Sequence, residues 1–444
     1  MLDKRLEQVF AQVKTGVVVP VILEVRGGGP ALVRELSSLG LRNARMSPVS
    51  PLAYGQATET VARALSNNPA VVRVYYDEPV YTRESNPFEA RFQQKEVIPL
   101  LEAVAATGAP HLWDAGLTGK GVKIAVIDTG VSQSHPMLRD AIRGTFSAVP
   151  EESVEDQQGH GSWCASAAAG RHLELEDGLE LQGAAPEADL YCLKALAADG
   201  RGQMSWVIDC VEHAIVEMQA DILSMSLGSL FDNAGADPIS RLVNDAVLKY
   251  NVIPVIAAGN SFIPASIGSP GGAIQALTVG SVALKLPHKF AVSSFSSKGP
   301  TTGLLVKPDI SACGGNIVTP GIGELILGAA AHEGYAYLAG TSMATPQVAG
   351  GIALLRQDQP NLSRAEIEQL LALAAFPRIK DTLTGYGMID LGKMRQNLGK
   401  PHPQIAEMQN FIAQVQAIPF VPLSLLPHPE GSEVSEIRLP AFGG

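Results

Sequence analysis

Ser342 lies in Gly340-Thr341-Ser342-Met343-Ala344-Thr345-Pro346, a turn of small residues set directly before an apolar helical run. That setting suits a nucleophile. Small neighbours admit a substrate carbonyl, and a helix opening near Ala344 turns its positive end toward a developing anion. A hydroxyl alone is inert, so a base and a carboxylate to orient that base must come from elsewhere in the chain. Two segments offer them. The apolar run over residues 122–127 reads as a buried parallel strand and ends in Asp128-Thr129-Gly130, which puts Asp128 at a strand's carboxyl end, the edge where open α/β sheets build sites. Gly159-His160-Gly161-Ser162 sets a histidine between glycines at the head of an alanine-rich stretch over residues 163–170. Only a closely packed helix fits that composition, and His160 falls on its first turn.

The chain order Asp128, His160, Ser342 is the order subtilisin itself uses, and the surrounding blocks make the likeness specific: the chain resembles the subtilisin-like serine proteases. Val126-Ile127-Asp128-Thr129-Gly130, Gly159-His160-Gly161-Ser162-Trp163-Cys164-Ala165 and Gly340 to Pro346 resemble that family's aspartate, histidine and serine blocks. Connectors agree too, among them Phe295-Ser296-Ser297-Lys298-Gly299-Pro300-Thr301, Lys307-Pro308-Asp309-Ile310 and Gly385-Tyr386-Gly387. The resemblance spans about residues 105–395. It implies an endopeptidase in which His160 takes the Ser342 proton, Asp128 orients the imidazole and Asn260, in Ala257-Ala258-Gly259-Asn260, donates to the oxyanion with a backbone N–H. It also implies that Ser226-Leu227-Gly228 and Ala257-Ala258-Gly259 wall the primary specificity pocket, while Gly200 and Gly202, in Gly200-Arg201-Gly202-Gln203, belong to an edge that pairs with the peptide backbone. These walls are uncharged, which favours apolar or aromatic side chains over Lys or Arg. Two readings from other classes are a catalytically silent regulatory pseudoprotease and an acyl-enzyme transferase that ligates peptides.

The elements that must position these residues alternate: strands over 122–127, 189–193, 222–225, 252–257 and 277–282, with helices after Ser162 and over 204–219 and 239–250. Such an order demands a parallel sheet between two helical layers, a three-layer α/β domain expected over residues 105–396. Before it, residues 1–82 read as a small α+β unit, with strand over 17–25, helix over 31–39, a strand, helix over 56–65 and strand over 71–76. The resemblance implies that this unit is a ferredoxin-like propeptide whose tail, Glu78-Pro79-Val80-Tyr81-Thr82, lies along the cleft as an added strand. The alternative is an unrelated accessory domain. A polar stretch opens the expected processing linker over 83–104, with a cut somewhere in residues 82–96. A Pro-rich C-terminal extension is expected over 397–444.

Composition bounds the partners. With 444 residues, 46% hydrophobic and 17% charged, the chain can bury a large core. A net charge of -11 without a Lys/Arg cluster argues against nucleic acid as a partner, and the resemblance implies protein or peptide substrates. Cys164, Cys192, Cys210 and Cys313 lack metal-ligand spacing and are read as buried thiols. No run is long enough to span a bilayer, and the charged Met1-Leu2-Asp3-Lys4-Arg5-Leu6-Glu7 does not read as a signal peptide. The expectation is therefore a cytoplasmic protein, or a secreted one if a leader has been removed. No metal site and no required cofactor are assigned. Many members of the family bind calcium, but Glu151, Glu152, Glu155 and Asp156, and likewise Glu174, Glu176, Asp177 and Glu180, lack EF-hand spacing and read as solvated acidic loops, so calcium ligands stay unknown. Three residues depart from the family pattern: Ser162 after His-Gly, Gln347 after Thr-Pro and Cys313 after Asp309-Ile310-Ser311-Ala312.

Overall fold

A computed structural model describes residues 1–82, 94–229, 235–284, 291–318, 322–375 and 379–400. Its central sheet runs, in spatial order, Ala291–Val292, Leu277–Ala283, Ile253–Ala257, Ile222–Met225, Lys123–Asp128, Asp189–Lys194, Ile142–Ser147, with Ile310–Cys313 also paired to Leu277–Ala283. Every pairing is parallel except that of Ala291–Val292. Strands in such a sheet are covered on both faces, and Lys123–Asp128 demonstrates it residue by residue. Ile124 and Val126 join a core with the helices His160–Ala169 and Thr341–Asp358, whereas Ala125 and Ile127 join one with the helices Met204–Val216 and Pro238–Tyr250. These are the three layers read from the alternation of strands and helices.

Small residues set how closely the layers approach. All ten residues of His160–Ala169 are buried, and a Cβ at Gly350 would overlap the Ala168 carbonyl oxygen of that helix. Pro238–Tyr250 starts where Asp237 accepts from Ser240 N–H at 3.0 Å with Pro at the first position, the usual helix-opening chemistry. Ser363 and Glu366 form the reciprocal capping box that opens Arg364–Ala375. Among the described residues, no helix is long and apolar enough to cross a membrane.

Residues 1–82 form a second, antiparallel sheet ordered Arg42–Met46, Leu52–Ala57, Val19–Val25, Val71–Tyr76. The helices Pro30–Ser38 and Glu59–Ser66 complete the split βαβ, ferredoxin-like topology. Period-two alternation divides its buried residues: Val21 and Leu23 face the unit's own core, and Ile22 faces the helices Met204–Val216 and Pro238–Tyr250. Two features differ from expectation. The helix expected over 56–65 begins only at Glu59, since Gln56 continues the strand Leu52–Ala57 and Thr58 caps the helix by accepting from Val61 N–H. An unforeseen helix, Lys4–Gln12, is capped by Asp3 and buries Leu6 and Phe10 one turn apart.

The segment Pro79–Thr82 leaves this unit and becomes the middle strand of a three-stranded sheet, between Arg201–Gln203 and Leu227–Gly228. Residues 83–93, most of the expected processing window, lie outside the described residues. The rest of the expected linker is not a linker: Gln94–Pro99 pairs in parallel with Ile322–Ala329, and Leu100–Ala105 is a helix with Leu100, Ala103 and Val104 fully buried. Polar composition misled here because backbone pairing holds a strand whatever its side chains. The expected C-terminal extension lies outside the described residues from position 401.

Candidate active site

Asp128 ends the central strand Lys123–Asp128, and the following turn folds its carboxylate back so that Oδ1 accepts from Thr129 N–H at 2.8 Å. The same Oδ1 lies 2.6 Å from Nδ1 of His160, the first residue of His160–Ala169. Gly161 permits that approach, for a Cβ there would overlap the Gly130 carbonyl oxygen. Nε2 of His160 is buried without a hydrogen-bond partner among the described residues. Burial disfavours charge on the imidazole, but the adjacent Asp128 carboxylate more than offsets it and raises the His160 pKa well above the usual histidine value.

Ser342 is the second residue of Thr341–Asp358, which opens at Gly340. Its hydroxyl donates to the Ser226 carbonyl at 3.3 Å, while the Ser226 hydroxyl donates to the Ser342 carbonyl at 3.0 Å. This double tether fixes the serine to the segment that leads into Leu227–Gly228. The side-chain Oδ1 of Asn260 accepts from both the N–H and the hydroxyl of Thr341 at 3.0 Å, and Gly259 N–H donates to that hydroxyl at 3.2 Å. Asn260 is thus anchored to the residue before Ser342, with the plane of its amide set by two bonds. Ala257 and Ala258, at the end of Ile253–Ala257, are buried beside it.

Gly200, Gly202, Leu227 and Gly228 meet the strand Pro79–Thr82. Thr82 N–H donates to the Gly200 carbonyl at 3.0 Å, Val80 pairs with Gly202, Tyr81 with Gly228 and Thr82 with Leu227. The sequence-read site residues therefore gather at one sheet edge, with Asp128, His160 and Ser342 each at most 1% exposed.

Cys164 lies beneath the site, with Sγ 3.8 Å from His160 Nδ1 and 3.6 Å from the Ser342 carbonyl oxygen. Burial pushes its thiol up to about 11, so it is a neutral, inert neighbour at working pH. Two of the departures from the family pattern are partners in space: Gln347 Nε2 donates to the Cys313 carbonyl at 2.7 Å.

Sequence reading missed two residues. Lys194, fully buried, pairs in register with Asp128 and donates to the Thr129 carbonyl at 2.6 Å, with Glu152 at 3.2 Å. Asp156 was expected in a solvated loop and is instead fully buried, its carboxylate accepting five hydrogen bonds at the head of the histidine helix. The available signal was an acid a few residues before His160 with Ser162 beyond it, the residue types that cap a helix start.

The sequence profile described as the Subtilase family matches residues 119–390. Serine protease AprX of Bacillus subtilis (strain 168) is 36% identical over 304 residues, covering 63% of this chain and 67% of that protein. The major intracellular serine protease of the same strain is 32% identical over 321 residues, covering 69% and 92%. Subtilisin BL of Lederbergia lenta is 35% identical over 288 residues, covering 65% and 95%.

Proposed function

Because this chain belongs to the subtilase family and is a subtilisin-like serine endopeptidase, we propose that Asp128, His160 and Ser342 are its catalytic triad, and that it is made as a precursor inhibited by its own residues 1–82. The observation that supports the reading is the strand Pro79–Thr82, which pairs between Arg201–Gln203 and Leu227–Gly228 as an extended peptide would. Backbone pairing of this kind binds extended peptide whatever its sequence.

In the proposed reaction His160 Nε2 takes the Ser342 proton as Oγ attacks the scissile carbonyl carbon. Asp128 holds the ring through Nδ1 and stabilises the imidazolium. The side-chain N–H of Asn260 and a backbone N–H receive the oxyanion. Collapse breaks the C–N bond, and the amine leaves with the proton held by His160. Water, deprotonated by the same imidazole, then hydrolyses the ester and restores Ser342. The chemistry calls on no cofactor.

The first substrate is the chain itself. Tyr81 pairs with Gly228 and Thr82 with Leu227, a register that runs toward Ser226, the residue tethered to Ser342. One step further along the sequence is Arg83, so the expected cut is the bond between Arg83 and Glu84. A bond presented within the same chain has a high effective concentration, so this cut does not require the apolar side chain favoured by the uncharged pocket walls. Ser342→Ala is expected to leave the chain full-length and to lower peptide cleavage by about a millionfold, the value known for subtilisin. Electrophoresis, the N-terminal sequence of the processed protein and labelling by a fluorophosphonate check this. Retained processing or labelling in the variant would overturn the assignment, and unlabelled wild-type protein would favour the silent pseudoprotease.

A further inference from the structure

Asp156 carries a buried carboxylate whose use the proposed reaction does not state. Oδ1 accepts from the Thr129 hydroxyl at 3.0 Å, Gln158 N–H at 3.1 Å and Gly159 N–H at 2.8 Å. Oδ2 accepts from Ser162 N–H at 2.8 Å and the Ser162 hydroxyl at 2.7 Å. These donors come from both halves of the Asp128–His160 pair. Thr129 follows Asp128 directly, and its hydroxyl also accepts from Gly161 N–H at 2.8 Å. Gly159 and Ser162 flank the first turn that carries His160. One carboxylate thus ties the aspartate's turn to the histidine's helix, across the 2.6 Å contact that the chemistry depends on.

Position adds an electrostatic consequence. His160 is the first residue of a ten-residue helix, where the backbone N–H groups and the helix dipole disfavour positive charge on a side chain. The proposed reaction needs the opposite, an imidazolium in the transition state. Among the described residues Asp156 has no ion-pair partner, so its negative charge is balanced by that helix end and by hydrogen-bond donors alone. Among the described residues, the other ionisable groups placed near His160 and Asp156 are Asp128 at Nδ1, Cys164 as a neutral thiol, Cys192, whose thiol is kept protonated by burial and the charges of Asp156 and Asp128, and Lys194 with Glu152 beyond Thr129. Lys194, on the Thr129 side, has its own counter-anion in Glu152 at 3.2 Å, so the positive helix end is left to the Asp156 carboxylate.

We propose that Asp156 is a positioning residue for this reaction: it locks Asp128 and His160 together and cancels the positive helix end that would otherwise weaken His160 as a base. The proposal rests on the triad reading above, and its test begins by securing that reading through fluorophosphonate labelling of Ser342.

The measurement is the pH dependence of kcat/KM per fluorophosphonate-titrated site in processed wild type, Asp156→Asn and Ser162→Ala. Asp156→Asn is expected to lower kcat at least about tenfold with KM little changed, and to move the acidic limb down by about one pH unit, a tenfold change in proton affinity. Ser162→Ala removes a hydrogen bond to Asp156 but keeps its charge, so it should lower thermal stability while leaving the limb in place. Should Asp156→Asn fail to process, the same comparison is made in full-length Ser342→Ala protein by NMR titration of the His160 ring, where the substitution should lower the pKa. A limb and ring pKa unchanged by Asp156→Asn would overturn the proposal and leave Asp156 a structural cap. Absence of Ser342 labelling in wild type would instead overturn the triad reading.

Discussion

At the scale of single residues, Asn260 offers the sharpest test of the oxyanion assignment, because its amide is anchored through Oδ1 to the N–H and hydroxyl of Thr341, directly before Ser342. Asn260→Ala is expected to lower kcat by about 100- to 1000-fold, the effect known for this donor in subtilisin, with KM nearly unchanged. Initial-rate kinetics on a peptide substrate check it. Asp128, His160, Ser342 and Asn260 stood out in the sequence as candidates because each sits in a run whose small neighbours and fixed spacing have few other uses. Asp156 and Lys194 were not. The acid before His160 hinted at a helix cap, but neither it nor a lysine at the end of a strand gives a sign of burial, which is decided by segments distant in sequence, here the turn after Asp128.

At the scale of elements, the strands and helices around the site were readable because parallel strands buried on both faces leave unbroken apolar runs, as over residues 122–127 and 253–257. Ile142–Ser147 escaped, being an edge strand whose side chains are partly exposed. So did Lys4–Gln12, whose few apolar residues make a helix only against Val71–Tyr76 and its neighbours. The docking of the N-terminal sheet is a matter of one face. Ile22 and Tyr54 enter the core beside Met204–Val216 and Pro238–Tyr250, Tyr54 donates to Glu212 at 2.7 Å, and Asp77 takes the Ser205 N–H and hydroxyl at the start of Met204–Val216. Removing the fully buried Ile22 side chain should cost about 2–4 kcal/mol. For the Ile22→Ala precursor we therefore expect a lag before full activity at least tenfold shorter than in wild type, read from progress curves after processing. An unchanged lag would show that release is not limited by this face.

At the scale of the whole molecule, one buried charge ties distant segments together. Asp309, 1% exposed, accepts from Lys307 and Lys380, each at 2.6 Å, and from Thr278 N–H at 2.7 Å, with the Arg364 guanidinium 3.5 Å away. Burial works against its charge, but the three cations win and hold its pKa far below the usual carboxylate value. Burial lowers Lys307 to about 8 against the pull of Asp309. The signs differ. The Asp309 contribution is complete above about pH 4, the unfolded value, and is lost as pH falls toward its depressed folded value, whereas the cost of burying charged Lys307 is relieved as pH rises from about 8 toward about 10. Asp309→Asn leaves the buried Lys307 without its anion, while Lys380 and Arg364 each keep Glu368 at 2.8 Å, and should cost about 3–5 kcal/mol in urea unfolding, with a flatter loss of stability in acid. The three-stranded sheet over the cleft has a wider consequence. Without Pro79–Thr82, the edges Arg201–Gln203 and Leu227–Gly228 face each other across a gap one strand wide, about 10 Å. A native helix cannot enter that slot, nor can a strand already paired on both sides. What enters is chain that has come loose, so the lifetime of any protein exposed to this enzyme should follow how often it opens locally. On the proposed reading, such a cleft would measure the stability of its targets before it reads their sequence.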